Sequence, residues 1–462
     1  MSGNERNINK GMSVSSASPP RPGRLLGWRI TADWVAYGYV ALLFLMPDDV
    51  FRITSLWTFV SPPDISYHWN DFSFSVLYLP LFCMGLYYYF SRKRLMQSRI
   101  LLFILFLVLK DILLVCFGDS YILDNCSFEW YLQFFVASCA LFVVFALDEE
   151  KGDVPLFVYI TLALTLATLL ASVLMHNTPG VYDYVNRFSS TNMAHGETSF
   201  LLAVGMIVAL ADGRVKHRVL LVAICLAGII ATGTRKDMVF LAATLVLNLC
   251  VRVKKGELLG KLKKETVRRR SHLEILLSIA LAFAVVLVVV ALSGKLAEIV
   301  NIERFTDLLS GLLGKGESGL SSDSSMQGRL GSLASGLAVL KDHWLFGLNF
   351  SFFDLQYNMQ QSGYPTFPHF TWLFCWLIMG IAVVVPIGML IKATGILARY
   401  NDPFAYVGLY MLLYFAVSGG AWWSFKVLLF IMYLFWLLLR RSRMYSSLPH
   451  SVRSSAREKI TR

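Results

Sequence analysis

Five basic side chains and one histidine lie in short polar stretches between long apolar runs of the chain. They are Arg187 in "DYVNRFSSTNMAHGE", Arg235 and Lys236 in "TGTRKD", Arg304 in "NIERFTD", Arg329 in "MQGRLGS" and His369 in "YPTFPHFTW". A cation near bilayer depth usually faces a cavity or a partner, because its burial in lipid is costly. Guanidinium groups bind phosphate oxygens in pairs. Taken singly, each of these cations is typical of a headgroup anchor or a salt bridge. Several of them together on one side of a membrane predict a site that binds a polyanion.

The remainder of the chain consists mainly of apolar segments that would position these side chains. The chain has 462 residues, of which 56% are hydrophobic and 16% charged, and its mean hydropathy is +0.58. Runs of roughly 20 apolar residues predict about twelve membrane-spanning helices. Their centres lie near Tyr39, Leu81, Leu107, Ala140, Leu164, Gly205, Cys225, Leu245, Phe283, Met379, Leu412 and Leu434. The sequence therefore predicts an all-α polytopic membrane protein.

Basic residues are distributed unevenly between the two sides of this predicted topology. Roughly 31 of the 42 Lys and Arg residues fall on the side that holds both termini, including the run from Arg252 to Arg270. The positive-inside rule therefore places both termini in the cytoplasm and the polyanion site on the outer side. The formal net charge of +12 follows from this asymmetry. It indicates contact with the anionic headgroups of membrane lipids and no nucleic-acid partner.

The predicted spans divide the chain into five parts. Residues 1–29 form a disordered cytoplasmic tail, 30–292 hold spans 1–9, 293–368 form a long outer loop, 369–440 hold spans 10–12, and 441–462 form a basic cytoplasmic tail. Apolar spacing in the outer loop predicts one helix over 295–314 and a second from Gly328 to a turn at Gly347. The Gly/Ser-rich stretch 314–328 is typical of a flexible linker, and we interpret the loop as a lid over a substrate.

Lys110 and Asp111 lie next to each other within the third predicted span, in "LVLKDILLV". Adjacent helix positions point about 100° apart, so we expect no pairing between these two side chains. Each then needs a partner on another helix, such as Lys426 for Asp111, or a place in an ion or proton pathway. The seven cysteines show no metal-ligand spacing, and the sequence predicts neither a metal site nor a cofactor.

The order of the outer-side motifs resembles that of the O-antigen ligase/polymerase superfamily. Arg187 is followed by "TGTR" at the head of a span, by "GRLGSLASGLAVLKDHWLFGLNF" in the long loop, and by "HFTWLFCWLIMGI" at the next span. The resemblance covers roughly Arg187 to Ile391. The chain departs from the family pattern in three places: Lys236-Asp237 replaces a small residue after "TGTR", Phe370 follows His369, and "DHWLFG" lacks a proline.

The resemblance implies a GT-C-type membrane glycosyltransferase of lipopolysaccharide or exopolysaccharide assembly in the bacterial inner membrane. Its donor would be a glycan on undecaprenyl diphosphate, transferred with inversion and without a metal ion to an acceptor hydroxyl. On this basis the diphosphate would be bound by Arg187, Arg235 and Arg329, with Lys236 and Arg304 as weaker candidates. His369 would position or deprotonate the acceptor hydroxyl group, and three carboxylates are alternatives for the base: Glu197, Asp237 and Asp323.

Three functions remain open at this point. A polysaccharide polymerase would use another lipid-linked repeat as acceptor and would work with a chain-length regulator; it is the interpretation that we favour. An O-antigen ligase would transfer the same glycan to lipid A-core or to a protein. A lipid-linked oligosaccharide flippase also fits the helix count, although it would typically show internal repeats and charges at the middle of the membrane.

Overall fold

The computed structural model describes residues 23–45, 78–92, 95–117, 136–145, 148, 155–174, 190, 195–212, 215, 217–234, 236–244, 324–348, 370–400, 402–417 and 425–447. The regular elements that these residues form are all helical. They are α1 (Gly23–Leu45), α2 (Tyr78–Arg92), α3 (Leu95–Phe117), α4 (Val136–Phe145), α5 (Leu156–Leu174), α6 (His195–Ala211), α7 (Arg218–Ala231), α8 (236–244), α9 (Ser324–His343), α10 (Thr371–Met379), α11 (Val384–Arg399), α12 (Ala405–Val417) and α13 (Phe425–Ser446).

Ten of the predicted span centres fall inside these helices. The other two, Leu245 and Phe283, lie outside the described residues, as does the helix predicted over 295–314. Within the described part of the chain, two helical segments are long and apolar enough to cross a membrane, Leu156–Leu174 and Thr371–Arg399. The number and direction of the crossings stay predictions.

Helix α3 has an apolar exposed side and a polar buried side. Leu102, Leu105 and Leu109 are 62%, 62% and 55% exposed, and they recur at helical spacing. On the other side of the helix, Lys110 and Asp111 are buried in the bundle. A helix in a water-soluble protein shows the reverse pattern, so the exposed leucines are typical of a surface that faces lipid.

The helices pack in two groups that share an aromatic core. In the first group, α5, α6 and α7 pack on one another, and α1 packs on α5. In the second, α11 packs on α12 and α13, and α10 on α12. Helix α6 joins the groups by packing on α12, where the ring centroid of Phe200 lies 4.4 Å from that of Tyr414. Aromatic burial of this kind supplies packing energy that needs no water around the bundle.

Buried carboxylates are paired with tyrosine hydroxyl groups from neighbouring helices. A carboxylate inside a bundle is costly without such a donor, because no water is available to solvate it. These contacts therefore fix the mutual positions of helices whose other contacts are apolar and non-directional. Among the described residues, the pairs of this kind are Asp33 with Tyr88, Asp148 with Tyr433, Asp212 with Tyr159, Asp237 with Tyr410 and Asp402 with Tyr445.

Helix α9 packs on α10, and the C-terminal ends of the two helices meet. The amide of Leu348 donates a hydrogen bond of 2.5 Å to the carbonyl of Leu377, and the amide of Ile381 donates one of 3.0 Å to the carbonyl of Leu345. The indole of Trp376 donates to the carbonyl of Trp344 at 2.9 Å. Because the helices pack side by side with these ends together, they run in the same direction.

Two glycines with positive φ make this junction possible. Gly347 (φ 71°) ends the turn after α9, and Gly380 (φ 60°) interrupts the helix between α10 and α11. Their backbones touch, since a Cβ atom on Gly347 would lie 2.6 Å from the amide nitrogen of Gly380. Only glycine adopts this conformation without strain and leaves room for a backbone so close.

Two of the sequence predictions are wrong in this region. Residues 324–328 were assigned to a flexible linker, but they form the first turn of α9, which is long enough and well enough packed to hold them. Lys110 and Asp111 were expected not to pair, yet Lys110 Nζ lies 2.7 Å from Asp111 Oδ1. The long lysine side chain bends back along its own helix, so the angle between the two Cα–Cβ bonds does not prevent contact.

Candidate active site

The "TGT" segment after α7 forms a tight turn held by hydroxyl groups. Thr232 caps the C-terminal end of α7, and its Oγ1 donates to the carbonyl of Ile229 at 2.7 Å. Gly233 follows with a φ of 62°, which lets the chain reverse. The Oγ1 atoms of Thr232 and Thr234 are 2.9 Å apart, and Thr234 donates to Ser199 Oγ on α6 at 2.5 Å. The turn therefore fixes the start of α8 against the first part of α6.

A second set of hydroxyl groups connects the segment before α6 to the same place. The amide of Ser190 donates to Thr198 Oγ1 at 3.1 Å, and the hydroxyl of Ser190 contacts Thr168 on α5. All three residues are buried. Three residues upstream of Ser190 stands Arg187, which lies outside the described residues. The hydroxyl contacts place Ser190 itself at the N-terminal end of α6.

Charged side chains meet beside these two hydroxyl clusters. The half-buried ammonium group of Lys236, at the start of α8, interacts electrostatically with the charges of Asp237, Arg329 and Glu197. Lys236 Nζ also lies 4.6 Å from the ring centroid of Tyr414 on α12. A cation over an aromatic face is attracted by the ring quadrupole. Two cations and two carboxylates from α6, α8 and α9 thus share one region.

Lys236 lies close to the start of α6. A Cβ atom on Gly196, the second residue of the helix, would lie 3.6 Å from Lys236 Nζ, an ordinary van der Waals distance. The next residue, Glu197, is 8% exposed and stands in the first turn of α6, where a carboxylate is stabilised by the helix dipole. The helix dipole therefore attracts this carboxylate, which also interacts electrostatically with Lys236.

Asp237 is fully buried and is held from the opposite side by α12. Its Oδ1 accepts a hydrogen bond of 2.7 Å from the hydroxyl group of Tyr410. Its Oδ2 accepts no hydrogen bond from the described residues. One oxygen of the buried carboxylate therefore has no hydrogen-bond donor among the described residues, and its negative charge attracts the ammonium group of Lys236.

Helix α9 brings Arg329 to this region by means of a face of small residues. Gly331, Ser332, Ser335 and Gly336 are buried at helical spacing, and Val339 and Leu340 continue the same face. Small residues let two helices approach closely, which is how membrane helices commonly associate. Since α9 and α10 run in the same direction, the half-buried Arg329 near the start of α9 lies at the same end as the first residues of α10. His369, which directly precedes Phe370 in the sequence, lies outside the described residues.

The structure therefore brings together all the predicted site residues that it describes. These are Lys236, Arg329, Glu197 and Asp237. The others lie outside the described residues, namely Arg187, Arg235, Arg304, Asp323 and His369. Whether any of them acts in a reaction stays a prediction. Within the described part of the chain, no group of three or more His, Cys, Asp or Glu side chains is arranged to hold a metal ion.

Sequence reasoning missed the two tyrosines of α12. Tyr410 and Tyr414 are four residues apart, so they lie on the same face of α12 and meet Asp237 and Lys236 respectively. The sequence contains a sign of their role: two tyrosines at helical spacing, in "LYMLLY", within an otherwise apolar span. This sign is weak, because tyrosine in a membrane helix is equally typical of the aromatic belt at the membrane interface.

Part of the chain matches a known protein family. Residues 220–387 match the model of the family described as O-antigen ligase. The matched range begins in α7, includes α8, α9 and α10, and ends in α11, so it contains Lys236, Asp237 and Arg329. Glu197 and the tyrosines of α12 lie on either side of it. A search of curated proteins found no match to the chain.

Proposed function

We propose that this chain, a member of the O-antigen ligase/polymerase superfamily, polymerises the repeat units of O-antigen or a related polysaccharide. It would transfer glycan from an undecaprenyl-diphosphate-linked donor to the hydroxyl group of an acceptor sugar. The match to this family supports the assignment of the chain to membrane enzymes of the O-antigen ligase or polymerase type. The observation that carries the finer proposal is the meeting of Lys236 and Arg329, together with two carboxylates, next to the "TGTR" turn.

The reaction would be a single displacement at the anomeric carbon of the donor sugar. The acceptor oxygen forms the new bond to that carbon while the bond to the diphosphate oxygen breaks, and the configuration inverts. Negative charge grows on the departing diphosphate, so cations fixed beside it lower the barrier. We assign this role to Arg329 and Lys236 together with Arg187, Arg235 and Arg304. With guanidinium and ammonium groups in place, the leaving group needs no divalent ion.

The acceptor hydroxyl group must lose its proton as it attacks. We assign this step to His369, which would receive the proton on an imidazole nitrogen. Glu197 is the better of the two described alternatives, because it is slightly exposed and lies beside Lys236. Asp237 is fully buried and already bonded to Tyr410, which suits a residue that orients Lys236 or Arg235. Asp323 is the third alternative for the base.

The site would lie on the periplasmic side of the inner membrane, with both chain termini in the cytoplasm. This assignment depends on the asymmetry of basic residues, and the packing of α12 and α13 is in agreement with it. Asp402, just before the start of α12, pairs with Arg441 near the basic C-terminal end of α13, and α12 then passes Tyr414 beside Lys236. Lys236 thus lies about 18 Å from Asp402 along α12. A chain-length regulator would be a partner on the same membrane.

An O-antigen ligase is the second candidate, and the description of the matching family favours it. The two reactions differ in the acceptor, and the described residues bind the donor in either case. A deletion strain separates them: a polymerase deletion leaves lipopolysaccharide with one repeat unit, whereas a ligase deletion leaves no attached repeat. A flippase deletion would instead keep the donor inaccessible from the periplasm.

Transfer by the purified protein tests the proposal directly. The probe is the undecaprenyl-diphosphate-linked repeat unit extracted from the host cells, incubated with the full-length protein in lipid nanodiscs. We expect longer lipid-linked glycans to form, and Arg329→Ala to lower the rate by about 100-fold or more. Arg443→Ala is the matched control, because Arg443 is exposed at the other end of the bundle. Equal rates for the wild type and Arg329→Ala would contradict the proposed site.

A further inference from the structure

Lys110 is a buried cation that binds backbone carbonyl groups of three residues on other elements. Its Nζ donates hydrogen bonds of 2.6 Å to Ile378, 3.0 Å to Leu348 and 3.1 Å to Phe346. The fourth oxygen near it is Asp111 Oδ1, at 2.7 Å. The side chain is 6% exposed, so water does not compete for these contacts. An ammonium group has three N–H donors, and protein oxygens occupy all of them.

The three carbonyl groups belong to the places where two helices end. Ile378 is in the last turn of α10, just before the break at Gly380, and its carbonyl is among those that an α-helix leaves without an internal partner. Phe346 and Leu348 belong to the turn that follows α9. The C-terminal end of a helix carries partial negative charge. Lys110 therefore places one positive charge against the negative ends of two helices and joins them to α3.

The junction is held from two sides. On one side, the backbones of Gly347 and Gly380 touch, and the amide of Ile381 donates a hydrogen bond to the carbonyl of Leu345. Lys110 reaches it from the side of α3, which belongs to a different part of the chain. Without the positive charge, the carbonyl groups would lack hydrogen-bond donors in a place that water does not reach. Because unsatisfied buried carbonyl groups are costly, we expect the junction to open locally.

The position of this junction determines the position of Arg329. Helix α9 runs back from His343 to Arg329 over about 21 Å, given a rise of 1.5 Å per residue. The helix is continuous over this length, and its buried small residues keep it close to its neighbours. A tilt or a shift at the C-terminal end of α9 is therefore transmitted to Arg329 at the other end.

We infer that Lys110 is a positioning residue: it holds the C-terminal ends of α9 and α10 on α3 and thereby keeps Arg329 in the charged cluster. The first part of this inference, that Lys110 holds the helix ends, follows from the contacts of Lys110. The second part, its effect on catalysis through Arg329, depends on the proposed function. Full occupation of its N–H groups by fixed oxygens assigns Lys110 to structure rather than to an ion or proton pathway.

Hydrogen–deuterium exchange of the full-length protein in nanodiscs tests the first part of the inference. We expect Lys110→Met, which keeps the length of the side chain but not the charge, to speed exchange in peptides covering 343–348 and 377–383 by about tenfold or more. Lys341→Met is the matched control on an exposed position of α9, and it should leave both peptides unchanged. Lys110→Arg keeps a cation and should restore protection. Unchanged exchange in Lys110→Met would overturn the inference.

Glycan transfer by the same samples tests the consequence for catalysis. An Arg329 that is misplaced loses contact with charge that grows in the transition state, so kcat should fall by about tenfold while KM for the donor changes little. Normal kcat in Lys110→Met with fast exchange would overturn the positioning role. If Lys110→Met does not accumulate in membranes, Asp111→Asn replaces it and should give the same pattern more weakly.

The two ideas can fail separately. If the wild type transfers no glycan but exchange in Lys110→Met rises as expected, the proposed function is wrong and the junction is held as described. If the wild type transfers glycan and both kcat and exchange in Lys110→Met equal those of Lys341→Met, the proposed function stands and the role of Lys110 is wrong.

Discussion

Asp237 on α8 accepts a 2.7 Å hydrogen bond from the hydroxyl group of Tyr410 on α12, and neither side chain is exposed. The bond connects the region that matches the O-antigen ligase family to a helix outside it. It is also the only hydrogen bond that Asp237 accepts from the described residues, since its Oδ2 has none. The orientation of the carboxylate beside Lys236 therefore depends on Tyr410.

Tyr410→Phe should weaken both the fold and the reaction. The substitution keeps the ring and removes the hydroxyl group, so the buried Asp237 carboxylate loses its donor at a cost of about 1–3 kcal/mol. We expect a lower midpoint of unfolding in nanodiscs and a slower transfer of glycan per folded molecule. Tyr87→Phe is the control, because Tyr87 is 63% exposed on α2. If the Tyr410 and Tyr87 variants unfold at the same midpoint, the hydrogen bond contributes nothing to stability.

Gly347→Ala should destabilise the protein, whereas Gly388→Ala should not. At Gly347 the φ of 71° strains an alanine by about 1–2 kcal/mol, and its methyl group would meet the backbone of Gly380. Gly388 lies within α11 with no atom within 4 Å of the added Cβ, so alanine should stabilise the helix by about 0.5–1 kcal/mol. Thermal unfolding of the two variants measures the difference. A midpoint of Gly347→Ala above that of Gly388→Ala would contradict the described junction.

Part of this arrangement could be predicted from the sequence. Long apolar runs are sufficient to predict helices, and for this reason ten of the predicted span centres fall inside them. The turn at Gly233 and the end of the second loop helix near Gly347 are also predictable from the sequence, because glycine after a helix favours a positive φ. The charges of Lys236, Asp237 and Arg329 could be grouped by assuming that they lie on one side of a membrane.

The remaining features depend on which helices are neighbours, and a single sequence does not contain that information. Tyr410 looked like any aromatic residue in a span until α8 was found next to α12. Lys110 suggested a charged partner, but its partners are mainly carbonyl groups. Carbonyl groups are present at every residue, and those that bind Lys110 become available only where the helices end near Gly347 and Gly380.

Lys236→Met should reduce glycan transfer more than it reduces stability. The variant removes a cation that interacts electrostatically with Asp237 and Glu197 but keeps most of the packing of the side chain. We expect kcat to fall by about tenfold or more, since one of the charges beside the leaving diphosphate is lost. Lys236→Arg should keep most of the activity. A Lys236→Met variant with the kcat of the wild type would show that this cation does not stabilise the leaving group.

Asp402→Asn should affect stability and leave the reaction intact. Asp402 Oδ2 accepts bonds of 3.1 and 3.0 Å from Arg441 Nε and Nη2 and one of 3.0 Å from the hydroxyl group of Tyr445. Its Oδ1 caps α12 through the amide of Phe404, and asparagine can keep that bond. Loss of the charge should cost about 1–3 kcal/mol.

The activity of this variant tests the assignment of the reaction to one end of the bundle. Asp402 lies about 18 Å along α12 from the level of Tyr414 and Lys236. We therefore expect Asp402→Asn to have a lower midpoint of unfolding but an unchanged kcat per folded molecule at a temperature well below that midpoint. Arg329→Ala should show the opposite combination, because Arg329 is half-buried at the charged cluster and supports little packing. A fall in kcat for Asp402→Asn as large as that for Arg329→Ala would place the reaction elsewhere.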